Sequence, residues 1–472
     1  MKSNIVNNFL GKVLIGIALL FIFPIIVAVA NGEPIMPFMV PLCISLMMGL
    51  VLNLYEFKQS DNLYAKDGLK IVAVSWIILS IIGAFPMYLN RDASFIDAIV
   101  ETVSGFTTTG ISVFKDVESL NSSILFWRSF TNFVGGMGVL ALVMVIIPLS
   151  KNDKSMHVLK AEMPGPSVSK LVPSMKKTLI YLYGIYIGLT FVEFILLLFG
   201  GNNAFNSMLL SFSTASTGGF SPFNDSCESL NVFSKYVISV FMILFGVNFN
   251  IYFLILMKDI KSALKSEELR WYIAIAVIAI VVVFGNTLSI IGNVENAMVD
   301  SVFQVSSFIT STGFGVGNVN IYSAGLKVLA FVLMAVCACA GSTCGGMKLS
   351  RVIISLKSVR RDLIKLIHPN SVETIKFEGK KISDDTINTT NTFVILFILL
   401  IIISLFIVGL DKFDLETTFN AVMTTFTNNG LFFGDISFTE FTTLSKITMC
   451  IGMLCGRLEI FPFVTLLAEK KK

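Results

Sequence analysis

Long apolar stretches separated by a few charged residues dominate the pattern of this chain. Eight stretches of 20 to 25 residues contain no Asp, Glu, Lys or Arg, and each is close to the ~20 apolar residues that cross the core of a bilayer. They lie at residues 13–32, 34–55, 71–90, 129–150, 236–257, 271–294, 328–347 and 386–410. Two further apolar stretches, 178–200 and 447–468, carry Glu193 in one and Arg457 with Glu459 in the other. The pattern predicts ten transmembrane helices.

Composition and charge support a membrane protein and give it an orientation. Only 14% of the 472 residues are charged, whereas soluble proteins have about 25%. The first apolar stretch is too long for a signal peptide and lacks a small-residue cleavage site, so we expect it to be retained. With the N-terminus in the cytoplasm, 27 Lys and Arg residues fall on the cytoplasmic side and seven on the other. This asymmetry predicts that both termini are cytoplasmic.

A short polar turn recurs four times after the first two predicted spans. Each outward loop contains a half-length apolar stretch, such as FIDAIVETVSGFTTTG, that ends in a turn rich in Thr, Ser or Asn and closed by glycine. The turns are Thr108-Thr109-Gly110, Ser216-Thr217-Gly218, Ser311-Thr312-Gly313 and Asn428-Asn429-Gly430. Each lies between two predicted spans, so the sequence predicts four span–loop–span repeats.

An Asp or Asn residue near the start of each half-length stretch is expected to cap a short helix. These residues are Asp97, Asn206, Asp300 and Asn420. Their separations from the turn glycine are 13, 12, 13 and 10 residues by sequence number. The fourth copy therefore looks shortened, and Gly434 competes with Gly430 as its turn glycine.

Four such turns can build a cation filter. Non-helical backbone is tolerated at membrane depth only where protein buries it or water lines it. A ring of backbone carbonyls can replace the hydration shell of a monovalent cation, and glycine adopts the dihedral angles that such a turn requires. Short helices whose C-termini face the ring would favour a cation. The alternative is that the four turns are re-entrant hairpins that only fill space.

The second span of the third repeat contains a run, VCACAGSTCGGMK, that is a poor helix interior. Each glycine there costs ~1 kcal/mol relative to alanine. We expect an unwound loop that crosses the pore below the filter and acts as a gate. Its residues are Gly341, Ser342, Thr343, Gly345 and Gly346, and Lys348 ends it. The alternative is a small-residue face that allows two helices to approach closely.

Arg457 is the natural partner of such a loop. An unpaired charge inside a span costs at least ~2.5 kcal/mol, and the five guanidinium donors could bind free loop carbonyls. The alternative is an arginine that extends to the cytoplasmic surface. Lys348 either holds the cation back or marks the inner boundary, and Glu193 has no evident partner.

The chain resembles the TrkH branch of the Trk/Ktr/HKT potassium transporter superfamily over nearly its whole length. The resemblance rests on the four turns and on four segments, WRSFTNFVGGMG (127–138), GVNFNIY (246–252), AEMPGPSVSKLVP (161–173) and IHPNSVETIK (367–376). It implies four repeats in pseudo-fourfold arrangement around one ion path, an intramembrane loop contacted by an arginine, a homodimer, and a cytosolic TrkA-type nucleotide-binding ring. The fourth turn departs from the family pattern, since family members commonly have a turn richer in Gly and Pro.

The expected protein is an all-α membrane protein of the bacterial inner membrane that transports K⁺ and has no organic cofactor and no nucleic-acid partner. A proton- or sodium-coupled symporter or other secondary carrier is the alternative. No nucleophile, acid–base or metal cluster indicates an enzyme, and six of the seven cysteines lie inside spans, which argues against disulfides and zinc. The expected divisions are 1–66 (two N-terminal helices), 67–150 (repeat one), 151–257 (cytoplasmic loop and repeat two), 258–365 (repeat three) and 366–472 (repeat four and tail).

Overall fold

The computed structural model describes residues 2–54, 65–136, 138, 175–317, 322–336, 338–433 and 437–467. The described chain is α-helical apart from one two-stranded hairpin, which confirms the predicted all-α class. Before the first turn the helices are α1 (Lys2–Leu20), α2 (Ile22–Asn31), α3 (Met36–Asn53) and α4 (Ala65–Leu89). Repeat one continues with α5 (Phe95–Phe106) and α6 (Ser122–Gly136).

The other three repeats follow the same order of elements. Repeat two contains α7 (Met175–Phe199), α8 (Ala204–Ala215), α9 (Val232–Phe245) and α10 (Phe249–Leu256), followed by α11 (Ile260–Leu264). Repeat three contains α12 (Glu267–Ile291), α13 (Val294–Ile309), α14 (Ala324–Val336) and α15 (Leu349–Ile367). After strands β1 (Lys376–Phe377) and β2 (Lys380–Lys381), repeat four contains α16 (Asp384–Val408), α17 (Leu415–Thr427), α18 (Thr443–Leu458) and α19 (Phe461–Leu467).

Six uninterrupted helical segments are long and apolar enough to cross a membrane. Within the described residues they are 6–31, 36–53, 67–89, 178–199, 267–291 and 384–408. They match the two N-terminal spans and the first span of every repeat. The sequence therefore identified these six segments to within a few residues.

The second spans of repeats two, three and four are interrupted, which the apolar pattern does not reveal. Helices α9 and α10 meet at a bend of 91°, and α18 and α19 are separated at Glu459, whose φ is +66°. Between α14 and α15 the described residues 338–348 are non-helical. Helix α6 ends at Gly136, and the remainder of that predicted span lies outside the described residues.

The repeats close into a ring. Each short helix (α5, α8, α13, α17) packs between the two long helices of its own repeat. The second helix of each repeat also packs on the short helix of the next repeat, pairing α6 with α8, α9 with α13, and α14 with α17. Helix α18 of the last repeat packs on α5 of the first. This cyclic order gives the pseudo-fourfold arrangement that the sequence predicted.

The two N-terminal spans pack on the outside of repeat one. Helix α3 packs against α1 and α4, and α2 packs against α6. The carboxylate of Glu33, in the turn after α2, accepts hydrogen bonds from the backbone amides of Ser122 (2.7 Å) and Ser123 (2.9 Å) at the start of α6. A carboxylate is favourable there because it faces the positive end of the helix dipole.

Candidate functional site

Each of the four short helices ends in the same backbone turn. The first or second residue after the helix is in the left-handed region in all four repeats: Thr108 (φ +55°), Thr217 (+53°), Ser311 (+52°) and Asn428 (+52°). In every repeat, the backbone amide of the residue that follows donates a hydrogen bond of 2.8 to 3.0 Å to the carbonyl five residues earlier. This is the Schellman arrangement, which satisfies the free carbonyls at a helix C-terminus. Four non-glycine residues in the left-handed region at equivalent positions mark the site as conformationally strained.

Four glycines place these turns against one another in a closed circle. A Cβ atom on Gly110 would lie 2.2 Å from the carbonyl oxygen of Gly218, and one on Gly219 would lie 2.1 Å from that of Thr312. A Cβ on Gly313 would lie 1.8 Å from the carbonyl oxygen of Asn429.

The fourth contact returns to the first repeat. A Cβ on Gly430 would lie 1.9 Å from the carbonyl oxygen of Thr109. All four glycines have φ between +71° and +82°, a region that side chains disfavour. We call this circle of Thr109, Gly110, Gly218, Gly219, Thr312, Gly313, Asn429 and Gly430 the carbonyl ring.

The structure shifts the second turn by one residue relative to the sequence assignment. The sequence aligned Gly218 with Gly110 and Gly313, but Gly219 has the positive φ and the contact with the next repeat. Gly218 instead supplies the carbonyl that faces Gly110. Ser216, predicted as the first turn residue, caps the C-terminus of α8, and its hydroxyl donates to the carbonyl of Phe212 (2.9 Å).

The helix caps were also wrong in the sequence analysis. The capping side chains are Ser94, Asn203, Asn293 and Asp414, which accept hydrogen bonds from the first-turn amides. Counted by sequence number, Ser94, Asn203 and Asp414 each lie 16 residues before the ring glycine of their repeat. The fourth copy is therefore not shortened, and the expected caps Asp97, Asn206, Asp300 and Asn420 lie inside the helices.

Gly430 occupies the glycine position of the fourth turn, while the competing Gly434 lies outside the described residues. Two asparagines tie this turn to both neighbouring repeats. The side-chain amide nitrogen of Asn428 donates to Thr109 Oγ1 (2.8 Å) and to the carbonyl of Met453 (2.9 Å). That of Asn429 donates to the carbonyl of Ser307 (3.2 Å).

A buried ion pair supports the chain that leaves the first turn. Arg128 Nε donates to Glu101 Oε1 at 2.7 Å, and the two side chains are 2% and 0% exposed. The Glu101 carboxylate also accepts the amide of Val113 (2.7 Å). In repeat three, Gln304 donates to the carbonyl of Val316 (2.5 Å), the equivalent position three residues after the ring glycine. These polar side chains sit behind the carbonyl ring and hold its backbone in place.

The non-helical segment 338–348, which we call the crossing loop, contacts the interruptions of the other repeats. Its Cys339 amide donates to the carbonyl of Gly246, and its Gly341 carbonyl accepts from the amide of Phe249, both at 3.1 Å. Farther along, the Gly346 amide donates to the carbonyl of Gly456 (3.1 Å). The loop therefore joins the bend between α9 and α10 to the end of α18. The unwound conformation agrees with the interpretation of the glycine-rich run.

Arg457, which belongs to repeat four, binds both the crossing loop of repeat three and the end of α6 in repeat one. Its guanidinium donates to the carbonyls of Thr343 (2.5 Å) and Cys344 (3.3 Å). It also donates to the carbonyls of Gly135 (2.7 Å) and Gly136 at the end of α6. The side chain is 8% exposed, so these backbone oxygens are the partners that the sequence analysis expected a buried arginine to need.

Lys348 and Ser342 fold back on the crossing loop itself. The Lys348 ammonium donates to the carbonyl of Cys344 and to Ser342 Oγ (3.4 Å), and its side chain is buried. Glu459, the other charged residue of the apolar stretch 447–468, forms an ion pair with Arg351.

The crossing loop also contacts Asn428, the residue before the fourth segment of the carbonyl ring. A Cβ on Gly345 would lie 2.5 Å from Asn428 Oδ1, and one on Gly456 would lie 2.3 Å from the same atom. Asn428 is fully buried, and its Oδ1 has no hydrogen-bond donor in the described part of the chain. The loop thus packs directly beneath the fourth turn.

Sequence reasoning missed Glu268, which stands at the start of α12. Its Oε1 accepts the amide of Ala340 (2.8 Å) in the crossing loop, and the side chain is 4% exposed. Glu193 is fully buried, and neither carboxylate oxygen has a hydrogen-bond partner among the described residues. No group of three or more His, Cys, Asp or Glu residues that could hold a metal is found in the same part of the chain.

Comparison with known proteins agrees with this architecture. The profile of the TrkH family, described as cation transport proteins, matches residues 35–472. The potassium uptake protein TrkG of Escherichia coli is 31% identical over 87% of this chain and 87% of its own length. The TrkH potassium uptake protein of Halomonas elongata is 29% identical over 99% of this chain and 98% of its own.

The crystal structure of the potassium transporter TrkH from Vibrio parahaemolyticus superposes with a TM-score of 0.87 at 26% identity and covers 99% of both chains. These relatives are membrane transporters and not enzymes. The chain therefore belongs to the TrkH family of cation transport proteins.

Proposed function

We propose that this protein conducts K⁺ across the bacterial inner membrane through the carbonyl ring, with the crossing loop as its gate. The observation that carries the proposal is the closed circle of four glycine–carbonyl contacts. Potassium as the transported ion is also supported by the names of the relatives, which are potassium uptake proteins.

The ring suits a monovalent cation for electrostatic reasons. Four helix C-termini meet there, each equivalent to about half a negative charge. The ring positions Thr109, Gly218, Thr312 and Asn429 offer backbone carbonyls, which are strong ligands for an ion that sheds its water. The residues of the four turns predicted from the sequence stay the proposed K⁺ ligands, and Gly219 is added to the second turn.

The crossing loop is the proposed obstruction of the ion path. It belongs to repeat three, hydrogen-bonds to repeats two and four, and reaches repeat one through Arg457. A segment that contacts all four repeats beneath the ring lies across their common centre. Gly341, Ser342, Thr343, Gly345, Gly346, Lys348 and Arg457 form this proposed gate.

Ion flux into liposomes tests both parts. The purified chain is reconstituted in K⁺-loaded vesicles, and uptake of a tracer cation is followed with and without an opposing gradient. Passive, K⁺-selective flux is expected for the wild type, and Arg457→Ala should raise the basal rate because the loop loses its main anchor. A folded Arg457→Ala protein with unchanged or lower flux would contradict the gate, and equal K⁺ and Na⁺ flux in the wild type would contradict the filter.

A coupled carrier is the second candidate, and Glu193 is the observation that favours it. A buried carboxylate without a hydrogen-bond partner is expensive in a membrane and often belongs to a cation or proton pathway. Glu193→Gln should abolish any dependence of K⁺ flux on a proton gradient if this candidate is correct. Flux that ignores the proton gradient in the wild type would eliminate it.

The membrane orientation and the partners are proposed from charge and resemblance. The excess of Lys and Arg on one side supports cytoplasmic termini, and the resemblance implies a homodimer on a TrkA-type nucleotide-binding ring. Leu356, Val359 and Leu363 are 55–65% exposed along one face of α15, which supports a protein contact on that side. Mass measurement in detergent and co-purification with the ring protein test these two partners separately.

A further inference from the structure

The crossing loop has a second anchor near its beginning, the carboxyl group of Glu268 in helix α12. Arg457 holds the carbonyls of Thr343 and Cys344, whereas the Glu268 carboxylate holds the amide of Ala340. Glu268 also lies beside the Lys348 ammonium, which attracts it. The loop is therefore held near its beginning by the carboxyl group of Glu268 and in its middle by the guanidinium of Arg457.

Glu268 is in turn positioned by a second carboxylate from outside the helical bundle. Glu378 Oε1 accepts the hydroxyl of Ser266 (2.8 Å) and the backbone amide of Glu268 itself (2.9 Å). Ser266 is the N-cap of α12, so Glu378 provides an additional cap on the same helix terminus. Two successive hydrogen bonds, of 2.9 and 2.8 Å, thus connect Glu378 through Glu268 to the crossing loop.

Glu378 lies at the tip of the hairpin formed by β1 and β2, in an unusual backbone conformation. Phe377 pairs with Lys380, which leaves a two-residue turn at Glu378 and Gly379 with φ of +51° and +73°. Such turns favour Asn, Asp or Gly at the first position. A glutamate there costs conformational energy, and its carboxylate is the group that reaches α12.

The hairpin is held rigidly enough to transmit a displacement. Lys357 of α15 donates to the carbonyl of Lys376 (2.8 Å) and pairs with Glu267 at the start of α12 (2.5 Å). The base of the hairpin is closed by the amide of Ile382 bonding to the carbonyl of Ile375 (3.0 Å). Ile375 is itself buried. The hairpin, α12 and α15 therefore form one connected unit below the loop.

We propose that Glu268 is a positioning residue of the gate and that Glu378 acts on the gate through it. This rests on the proposed function of the crossing loop. The exposed hairpin thereby becomes the point at which force or binding on the surface of the protein alters the conducting state.

Basal K⁺ flux in liposomes tests the proposal through a double-mutant cycle. Glu268→Met, which keeps the volume but removes the acceptor, should raise basal flux about tenfold, corresponding to ~1.4 kcal/mol. Glu268→Asp should restore part of the closure. Glu378→Ala should raise flux several-fold alone and add little in the Glu268→Met background, because residues that act in series are non-additive. Glu373→Ala is the matched control, since Glu373 is an exposed glutamate of the same connection.

The K⁺ to Na⁺ permeability ratio separates positioning from general damage. It should remain at the wild-type value in all of these variants, since the carbonyl ring is untouched. Effects of Glu378→Ala that match those of Glu373→Ala, or that add fully to Glu268→Met, would overturn the role of the hairpin. Unchanged flux in Glu268→Met, while Arg457→Ala raises it, would overturn the second anchor and leave the gate standing. Unchanged flux in both would instead refute the gate.

Discussion

Replacing Gly313 by alanine is the most direct test of the carbonyl ring. A Cβ at this position would lie 1.8 Å from the Asn429 carbonyl oxygen, whereas real contacts of this kind are not closer than 3.0 Å. The difference, 3.0 − 1.8, means that the oxygen or the glycine must move by about 1.2 Å. The positive φ of +82° adds a penalty of ~1–2 kcal/mol for any residue with a side chain.

We expect this displacement to reduce K⁺ over Na⁺ selectivity about tenfold, because one of four ligands leaves its position and ~1.4 kcal/mol of discrimination is lost. The assay is the permeability ratio measured in liposomes, together with thermal unfolding in detergent. Gly317→Ala is the matched control, since Gly317 also has a positive φ (+68°) but its added Cβ would meet nothing closer than Asp300 Oδ2 at 3.6 Å. A folded Gly313→Ala protein with wild-type selectivity, or equal loss in both variants, would refute the reasoning.

Three further predictions concern the second turn, the buried ion pair and a thiol. Gly219→Ala should lower selectivity more than Gly218→Ala in the same permeability assay, because the first meets a backbone carbonyl and the second a side-chain amide; the reverse order would support the register read from the sequence. Arg128→Met should lower the free energy of unfolding by about 3–5 kcal/mol, since it leaves Glu101 charged and buried, and a loss below ~1 kcal/mol in chemical denaturation would contradict this. Burial raises the pKa of the Cys227 thiol. At neutral pH this thiol should therefore stay unmodified by maleimide until the protein unfolds. Rapid labelling of Cys227 in the folded protein, located by peptide mass spectrometry, would contradict this burial.

The apolar pattern and the repeats could be read from the sequence because both depend on local composition. The first span of each repeat is apolar apart from Glu193 in repeat two, and the four polar turns recur at one place between spans. The register of the second turn could not be read, since Gly218 and Gly219 are adjacent and only the backbone dihedral angle distinguishes them.

Long-range contacts account for the rest of what the sequence missed. Asp97 and Ser94 are both plausible caps, and the choice depends on where the helix begins. Glu268 resembles any acidic residue at the end of a span, and its contact with Ala340 joins positions 72 residues apart. Arg457 was easier to interpret, because a charge within an apolar stretch requires partners wherever they come from.

The hydrogen bond between Asn428 and Thr109 joins residues separated by 319 positions, and α18 packs on α5 across a similar distance in sequence. Closing so long a segment carries a substantial entropic cost that only the finished assembly can offset. Repeat one, already inserted in the membrane, therefore cannot complete its contacts until repeat four has been synthesised. A ribosome that stalls late, or a nonsense codon near the 3′ end of the coding sequence, would leave a protein with three repeats and an open ring. The strained turns of this product would lack support, and we expect membrane proteases to degrade it.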